Sequence, residues 1–167
     1  MYKIGIDLGS SYTKGVFVDE NNKIVDYYLT RTGFDFNKAA QKIIDKFSAD
    51  HEIQYPVFTC GYGRDELKMP FVSNSEIIAL SKVVFKHYNK KCSIIDIGGQ
   101  DTKFIMVNDQ GQVDKFKMNR KCAAGTGSFI EEIAFRLDIS AEEFTSYAKK
   151  ATEKNQDQQL LYRFCSF

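Results

Sequence analysis

Hydrophobic and polar positions follow two different periods along this chain, and each change of period marks an element. Residues 2–8 are largely apolar and read as a buried strand. Residues 13–18 and 24–30 predict two more strands. The polar turn Asp19-Glu20-Asn21-Asn22 separates them, so the three form a meander. Over residues 36–48 the period lengthens. Phe36, Ala39, Ala40, Ile43, Ile44 and Phe47 fall on one face of a helix, with Asp35 as its cap. Residues 55–60 predict a short strand ending in the turn Gly61-Tyr62-Gly63-Arg64. Ser73 and Glu76 stand at capping-box spacing before Ile77, Ile78, Leu80, Val83 and Val84, so a second helix is expected through about residue 89.

The pattern then starts again. Strands are predicted at 93–97, 103–107 and 113–118, with the turn Asn108-Asp109-Gln110-Gly111 between the last two. Helices are expected over 124–137 and 141–151, and Ser140 with Glu143 makes a second capping box. A polar stretch, 152–159, leads to the apolar end "LLYRFCSF". Shifted by 89 residues, Asp7 falls on Asp96, Gly9 on Gly98, Thr13 on Thr102, Lys14 on Lys103, Val18 on Val107 and Ile24 on Val113. This is an internal repeat of strand, turn, strand, turn, strand, and its period is too long for a solenoid. It predicts two copies of an α/β unit, residues 1–91 and 92–167, each with its own sheet and helices. Two such units must pack face to face or leave a cleft between them.

Composition narrows the classes of partner. Of the 167 residues 43% are hydrophobic and 27% charged, with a formal net charge of +1, which is ordinary for a globular protein. No long basic run points to nucleic acid or to an acidic membrane surface. Met1 leads directly into a strand-like segment without signal-peptide features, and no apolar run approaches the roughly 18–20 residues that span a bilayer. A cytoplasmic location is expected. Cys60, Cys92, Cys122 and Cys165 lie far apart with no C-x-x-C pair. In a reducing compartment this argues against a disulfide framework, and by spacing alone they read as four unconnected thiols.

The repeated turn is the first candidate for chemistry. Each copy has an apolar strand, then Asp-x-Gly, then small or polar residues, then a second strand. Glycine allows the backbone to bend tightly or approach a ligand, and the amides of such a turn form an anion nest. Gly9, Ser10, Ser11, Thr13 and Lys14 are candidates in the first copy, and Gly98, Gly99 and Thr102 in the second. Asp7 and Asp96 are badly placed beside bare phosphate. They make sense with a hard cation such as Mg²⁺ between, held through water. A plain hairpin turn is the structural alternative, since Asp and Gly favour one anyway. Finding the motif twice, in register, favours phosphate. No G-x-x-x-x-G-K-[ST] loop and no strand-borne G-x-G-x-x-G occur, which argues against P-loop and dinucleotide folds.

Cys122 precedes Ala123, Ala124, Gly125 and Gly127, at the start of an expected helix whose apolar face carries Phe129, Ile130, Ile133, Ala134 and Leu137. A helix N-terminus favours a thiolate, and an anionic cluster held by one. A merely buried or reactive thiol, or phosphate held at Gly125-Thr126-Gly127, are the other readings.

"GIDLGSSYTKG" and "IIDIGGQDTKF" resemble the first and second phosphate motifs of the acetate and sugar kinase, Hsp70 and actin superfamily. "IDIGGQDTK" with "MNRKCAAGTGSF", and "GYGR" at 61–64, resemble the activator ATPases of 2-hydroxyacyl-CoA dehydratases and the ATPase subunits of benzoyl-CoA reductase. The resemblance runs through the whole chain and implies duplicated ribonuclease H-like, actin-like ATPase lobes. It implies an ATPase that passes a low-potential electron to a dehydratase or reductase partner, with reduced ferredoxin or flavodoxin as donor. The implied cofactors are ATP, Mg²⁺ and one [4Fe–4S] cluster. Cys122 and a second cysteine, here Cys165 in "FCSF", would hold that cluster. Two thiols per chain cannot fill four iron sites, so the cluster requires a homodimer. Gln100 and Asp101 become the candidates for placing water or metal at the terminal phosphate, with Glu76 behind them. Cys60 and Cys92 match nothing in the pattern.

Arg120 and Ser128 depart from common family residues, and Arg163-Phe164 is bulkier than the family's second cysteine context. The chain reads as C-terminally truncated, because the superfamily continues with a third glycine-rich motif and a last helix. An incomplete second lobe, weak ATP binding and little turnover by this chain alone are therefore expected. A fragment of a sugar-type kinase, or a non-catalytic dimerisation module, are the competing classes.

Overall fold

The computed structural model describes residues 1–48, 55–119 and 126–150. These divide into two compact units, one of residues 1–92 with 107–114, the other of 93–106 with the described residues from 115 onward.

The first unit is built on a five-stranded sheet in the order β3-β2-β1-β4-β5. Its strands are β1 (Lys3–Leu8), β2 (Tyr12–Val18), β3 (Ile24–Arg31), β4 (Val57–Cys60) and β5 (Val72–Ser73). β1, β2 and β3 are antiparallel neighbours, and β4 joins β1 in parallel, with Asp7 beside Cys60. A meander followed by parallel strands on its far edge is the ribonuclease H-like order. β1 alternates, with Ile4, Ile6 and Leu8 at 1%, 2% and 0% exposure. These three lie under α1 (Phe36–Ser48), whose Ala39, Ala40, Ile43 and Phe47 are buried. Gly15 lets the helix settle, since a Cβ there would stand 3.1 Å from both Ile43 Cδ1 and Phe47 Cε2. The predicted cap holds: Asp35 Oδ1 accepts from the Lys38 amide at 3.1 Å.

α2 (Glu76–Tyr88) begins differently from the expectation. Its cap is Ser75, whose Oγ accepts from the Ile77 amide at 3.3 Å. Ser73 instead lies in β5, where its hydroxyl donates to Asp65 Oδ1 at 2.7 Å. That strand has two residues, too few for any periodic signal, and its pairing with β4 takes Ser73 out of helix-capping position. Glu76 pairs with Arg64 rather than closing a capping box.

β6 (Cys92–Ile97), β7 (Thr102–Val107) and β8 (Val113–Asn119) form the second sheet, in chain order. The repeat seen in the sequence recurs bond for bond. Asp19 Oδ1 accepts from the amides of Asn21 and Lys23, each at 2.8 Å. Asn108 Oδ1 accepts from those of Gln110 and Gln112, at 3.0 and 2.9 Å. The fourth turn residue has positive φ in both, Asn22 at 61° and Gly111 at 76°. Burial, however, is inverted. Ile95 and Ile97, the counterparts of Ile6 and Leu8, are 69% and 59% exposed, while Ile105 and Val107 on β7 are buried.

α3 (Gly127–Arg136) follows, starting three residues later than expected, with Thr126 as an extended N-cap. α4 (Ala141–Lys150) carries the predicted capping box, with the Ser140 amide donating to Glu143 Oε2 at 2.8 Å and the Glu143 amide to Ser140 Oγ at 3.1 Å. These bonds hold the Glu143 carboxyl below its ordinary value. No helix among the described residues is long and apolar enough to cross a membrane.

Candidate functional site: two equivalent Asp-x-Gly turns

The first turn joins β1 to β2. Pairing of Asp7 with Lys14 across the hairpin follows from the antiparallel register, and Lys14 Nζ donates to Asp7 Oδ2 at 2.8 Å. Gly9 has no room for a side chain, because a Cβ would stand 2.6 Å from the Tyr12 carbonyl oxygen. Ser10 and Ser11 are half-buried in the turn. Thr13 is fully buried, and its hydroxyl meets that of Thr32 at 3.0 Å. Thr32 in turn donates to the Gly9 carbonyl at 2.7 Å. A short polar chain therefore fixes the turn from inside the lobe. Thr32 carried no sequence signal, since its role depends on β3 running beside β2.

The second turn joins β6 to β7 and repeats the geometry. The Gly98 amide donates to the Asp101 carbonyl at 2.8 Å, and a Cβ on Gly98 would stand 2.9 Å from Asp101 Oδ1. Lys103, the counterpart of Lys14, is 6% exposed and lies 3.4 Å from Asp96 Oδ2 and 2.5 Å from Asp101 Oδ1. An ammonium that deeply buried needs such partners. The structure thus brings Asp96, Asp101 and Lys103 together at one end of β6, with Gly98 and Gly99 beside them. Gln100 is exposed at the tip. Tyr12 occupies the place of Asp101 in the first copy, with the Arg31 guanidinium 4.7 Å from its ring centre.

One connection was not foreseen. The amides of Gly127 and Ser128, the first two residues of α3, donate to the carbonyls of Gly98 and Gly99 at 2.9 and 3.0 Å. Two of the donors that a helix start leaves open are therefore spent on the second turn.

Cys122 and Cys165, the expected cluster ligands, lie outside the described residues. Cys60 is a poor ligand candidate. Burial first, then Asp7 and Glu76, push its thiol up to about 11, so it stays protonated at neutral pH. Among the described residues no group of three or more His, Cys, Asp or Glu is placed to hold a metal ion.

Comparison with known proteins settles the lineage. The profile of the BadF/BadG/BcrA/BcrD ATPase family matches residues 4–165. The chain belongs to this family. It is 36% identical over 158 residues to an activator of lactoyl-CoA dehydratase from Anaerotignum propionicum, covering 92% of this chain and 60% of that one. The activator of the 2-hydroxyisocaproyl-CoA dehydratase from Clostridium difficile, solved with bound ADPNP, superposes with a TM-score of 0.81 at 28% identity, over 92% of this chain and 59% of the other. Component A of the Acidaminococcus fermentans (R)-2-hydroxyglutaryl-CoA dehydratase gives 0.78, again at 28% identity, over 92% of this chain and 61% of its own. The actin-like fold of the family's activators is therefore the fold of this chain. It spans about 60% of the length of the relatives it matches.

Proposed function

We propose that the protein is the nucleotide-responsive part of an ATP-dependent electron-transfer activator. Its partner would be a 2-hydroxyacyl-CoA dehydratase or a benzoyl-CoA reductase-type enzyme, and its donor a reduced ferredoxin or flavodoxin in the cytoplasm. The two Asp-x-Gly turns would receive the phosphates of ATP: Gly9, Ser10 and Ser11 in the first, Gly98, Gly99 and Gln100 in the second. Asp7 and Asp96 would face Mg²⁺ through water, and Gln100 and Asp101 would place the attacking water. Lys14 pairs with Asp7, and Lys103 with Asp96 and Asp101; either ammonium would also suit a phosphate oxygen.

The observation that carries the reading is the pair of backbone bonds from Gly127 and Ser128 to Gly98 and Gly99. Any rotation of the second turn on binding or losing a phosphate must be felt at the start of α3, whose preceding segment contains Cys122. Thiolates of Cys122 and Cys165 suit a [4Fe–4S] cluster chemically, and two per chain make it a property of a homodimer. When bound, such a cluster supplies one low-potential electron. The chain's own residues decide when the docking surface around it changes.

The test is iron and acid-labile sulfide per chain after anaerobic purification, in the wild type and in Cys122→Ala. About two irons and two sulfides per chain, lost in the variant, support the activator reading. A folded wild type free of iron refutes it and moves the sugar-type kinase or the non-catalytic module ahead.

A further inference from the structure

The Gly61-Tyr62-Gly63-Arg64 turn, at the end of β4, lies directly against the first Asp-x-Gly turn. β4 runs parallel to β1 with Cys60 beside Asp7, so both strands end together. Gly61 has φ +93°, and a Cβ there would come within 2.8 Å of the Leu8 nitrogen and carbonyl carbon and would run into Asp7 Oδ1. The Gly63 amide donates to the Leu8 carbonyl at 2.9 Å. The Gly61 peptide is thus the wall against which one oxygen of Asp7 rests, while Lys14 holds the other.

Arg64 is bonded to that wall. Its Nη1 donates both to the Gly61 carbonyl at 3.2 Å and to Glu76 Oε2 at 3.1 Å. Glu76 is the first residue of α2, behind the Ser75 cap. A carboxylate at a helix start is favoured by the helix dipole alone. That does not account for a guanidinium reaching across from it to the Gly61 carbonyl. A planar fork can serve two acceptors in fixed directions, which a lysine ammonium does less well. The Cys60 thiol senses the same cluster: Asp7 and Glu76 push it up beyond the effect of burial, and Lys14 and Arg64 oppose them.

We propose that the Arg64–Glu76 ion pair is a positioning device for the Asp7 carboxylate, acting by fixing the Gly61 peptide that lies against it. In this role neither residue needs to touch the nucleotide. The proposal rests on the reading of the first turn as a site for Mg²⁺ and phosphate.

The test is calorimetric titration of the full chain with ATP, in excess Mg²⁺ and again in EDTA. The variants are Arg64→Gln, Arg64→Lys, Glu76→Gln, Asp7→Asn and the double variant Arg64→Gln/Asp7→Asn, each checked for folding by thermal melting. Arg64→Gln and Glu76→Gln are expected to weaken binding of ATP with Mg²⁺ by at least about fivefold, with less than about a twofold change in EDTA. Arg64→Lys recovers little of the loss. In the Asp7→Asn background Arg64→Gln has no further effect. Equal losses with and without Mg²⁺, or an undiminished loss in the Asp7→Asn background, would show that the pair only holds the fold and would overturn the proposal. Variants that bind like a Mg²⁺-dependent wild type overturn it too, and leave the nucleotide site standing. A wild type whose ATP binding is absent or indifferent to Mg²⁺ overturns the site reading and the positioning role together. Should Arg64→Gln fail to fold, Arg64→Lys and Glu76→Gln carry the same comparison.

Discussion

The polar chain behind the first turn has a direction, and the direction predicts unequal costs for two similar substitutions. A threonine hydroxyl has one hydrogen. Thr32 gives its own to the Gly9 carbonyl at 2.7 Å. In the 3.0 Å contact with Thr13 the Thr32 oxygen must therefore accept, and Thr13 donates. Thr32→Val removes an acceptor and a donor at once. It leaves the Thr13 hydroxyl, at 0% exposure, with an unused hydrogen, and the Gly9 carbonyl one bond short. A buried orphaned donor costs about 1–3 kcal/mol and a lost neutral bond about 1, so the loss is about 2–4 kcal/mol. Thr13→Val removes only the outer donor and leaves the bond to Gly9 intact, at about 1 kcal/mol. The double variant has no orphaned hydroxyl left. It costs about 1–2 kcal/mol, less than the two single losses together. Urea titration followed by far-UV circular dichroism, with a common slope, measures all three. For a chain of this size 1 kcal/mol corresponds to about 2–4 °C in Tm, so melting curves order the variants as well. Equal costs for Thr13→Val and Thr32→Val, or a strictly additive double variant, would refute the assigned direction.

Two pH-dependent effects follow from the same kind of argument. The folded-state pKa of Cys60 is raised from 9.0 to about 11, so its contribution to stability is complete below pH 9.0 and is lost as pH rises towards 11. Cys60→Ser should flatten the alkaline limb of a stability-versus-pH curve over that window, and in the native wild type Cys60 should be alkylated at pH 8 far more slowly than an ordinary thiol. Glu143 works in the opposite sense: its depressed pKa means that the capping-box contribution is present above the ordinary carboxylate range and is lost as pH falls through the folded value. Glu143→Gln should remove that acid-side dependence of α4, read by far-UV circular dichroism.

The fold was legible wherever a period or a local bond specified it. The alternation of Ile4, Ile6 and Leu8, the helical spacing of Ala39, Ala40, Ile43 and Phe47, and the Ser140–Glu143 pair all act within a few residues, and the structure follows them. The repeat was legible for the same reason. Asp19 and Asn108 need only a side-chain oxygen placed to catch two amides, and the sequence keeps one at both positions. What escaped depended on neighbours brought in by topology. β5 has no pattern of its own and exists because β4 offers an edge. The cap moved from Ser73 to Ser75 because that edge claimed Ser73. Thr32 and Arg64 act on turns 23 and 3 residues away in sequence; the first is set by strand pairing, the second by a local bend whose partner, Glu76, comes from another element. The equivalence of Lys103 and Lys14 is legible in the 89-residue shift; the burial of Lys103 between two carboxylates is not.

The exposure of Ile95 and Ile97 on β6 sets an expectation for hydrogen exchange. Amides in β1 and β2 sit under Ile43 and Phe47, so they are expected to meet water only when the first unit opens as a whole. Among the described residues little apolar side chain covers Ile95 and Ile97 of β6, so its amides are expected to exchange through local opening. The two copies of the hairpin are therefore expected to exchange at different rates. The copy expected to open more readily is the one whose Gly98 and Gly99 carbonyls accept from the first two amides of α3.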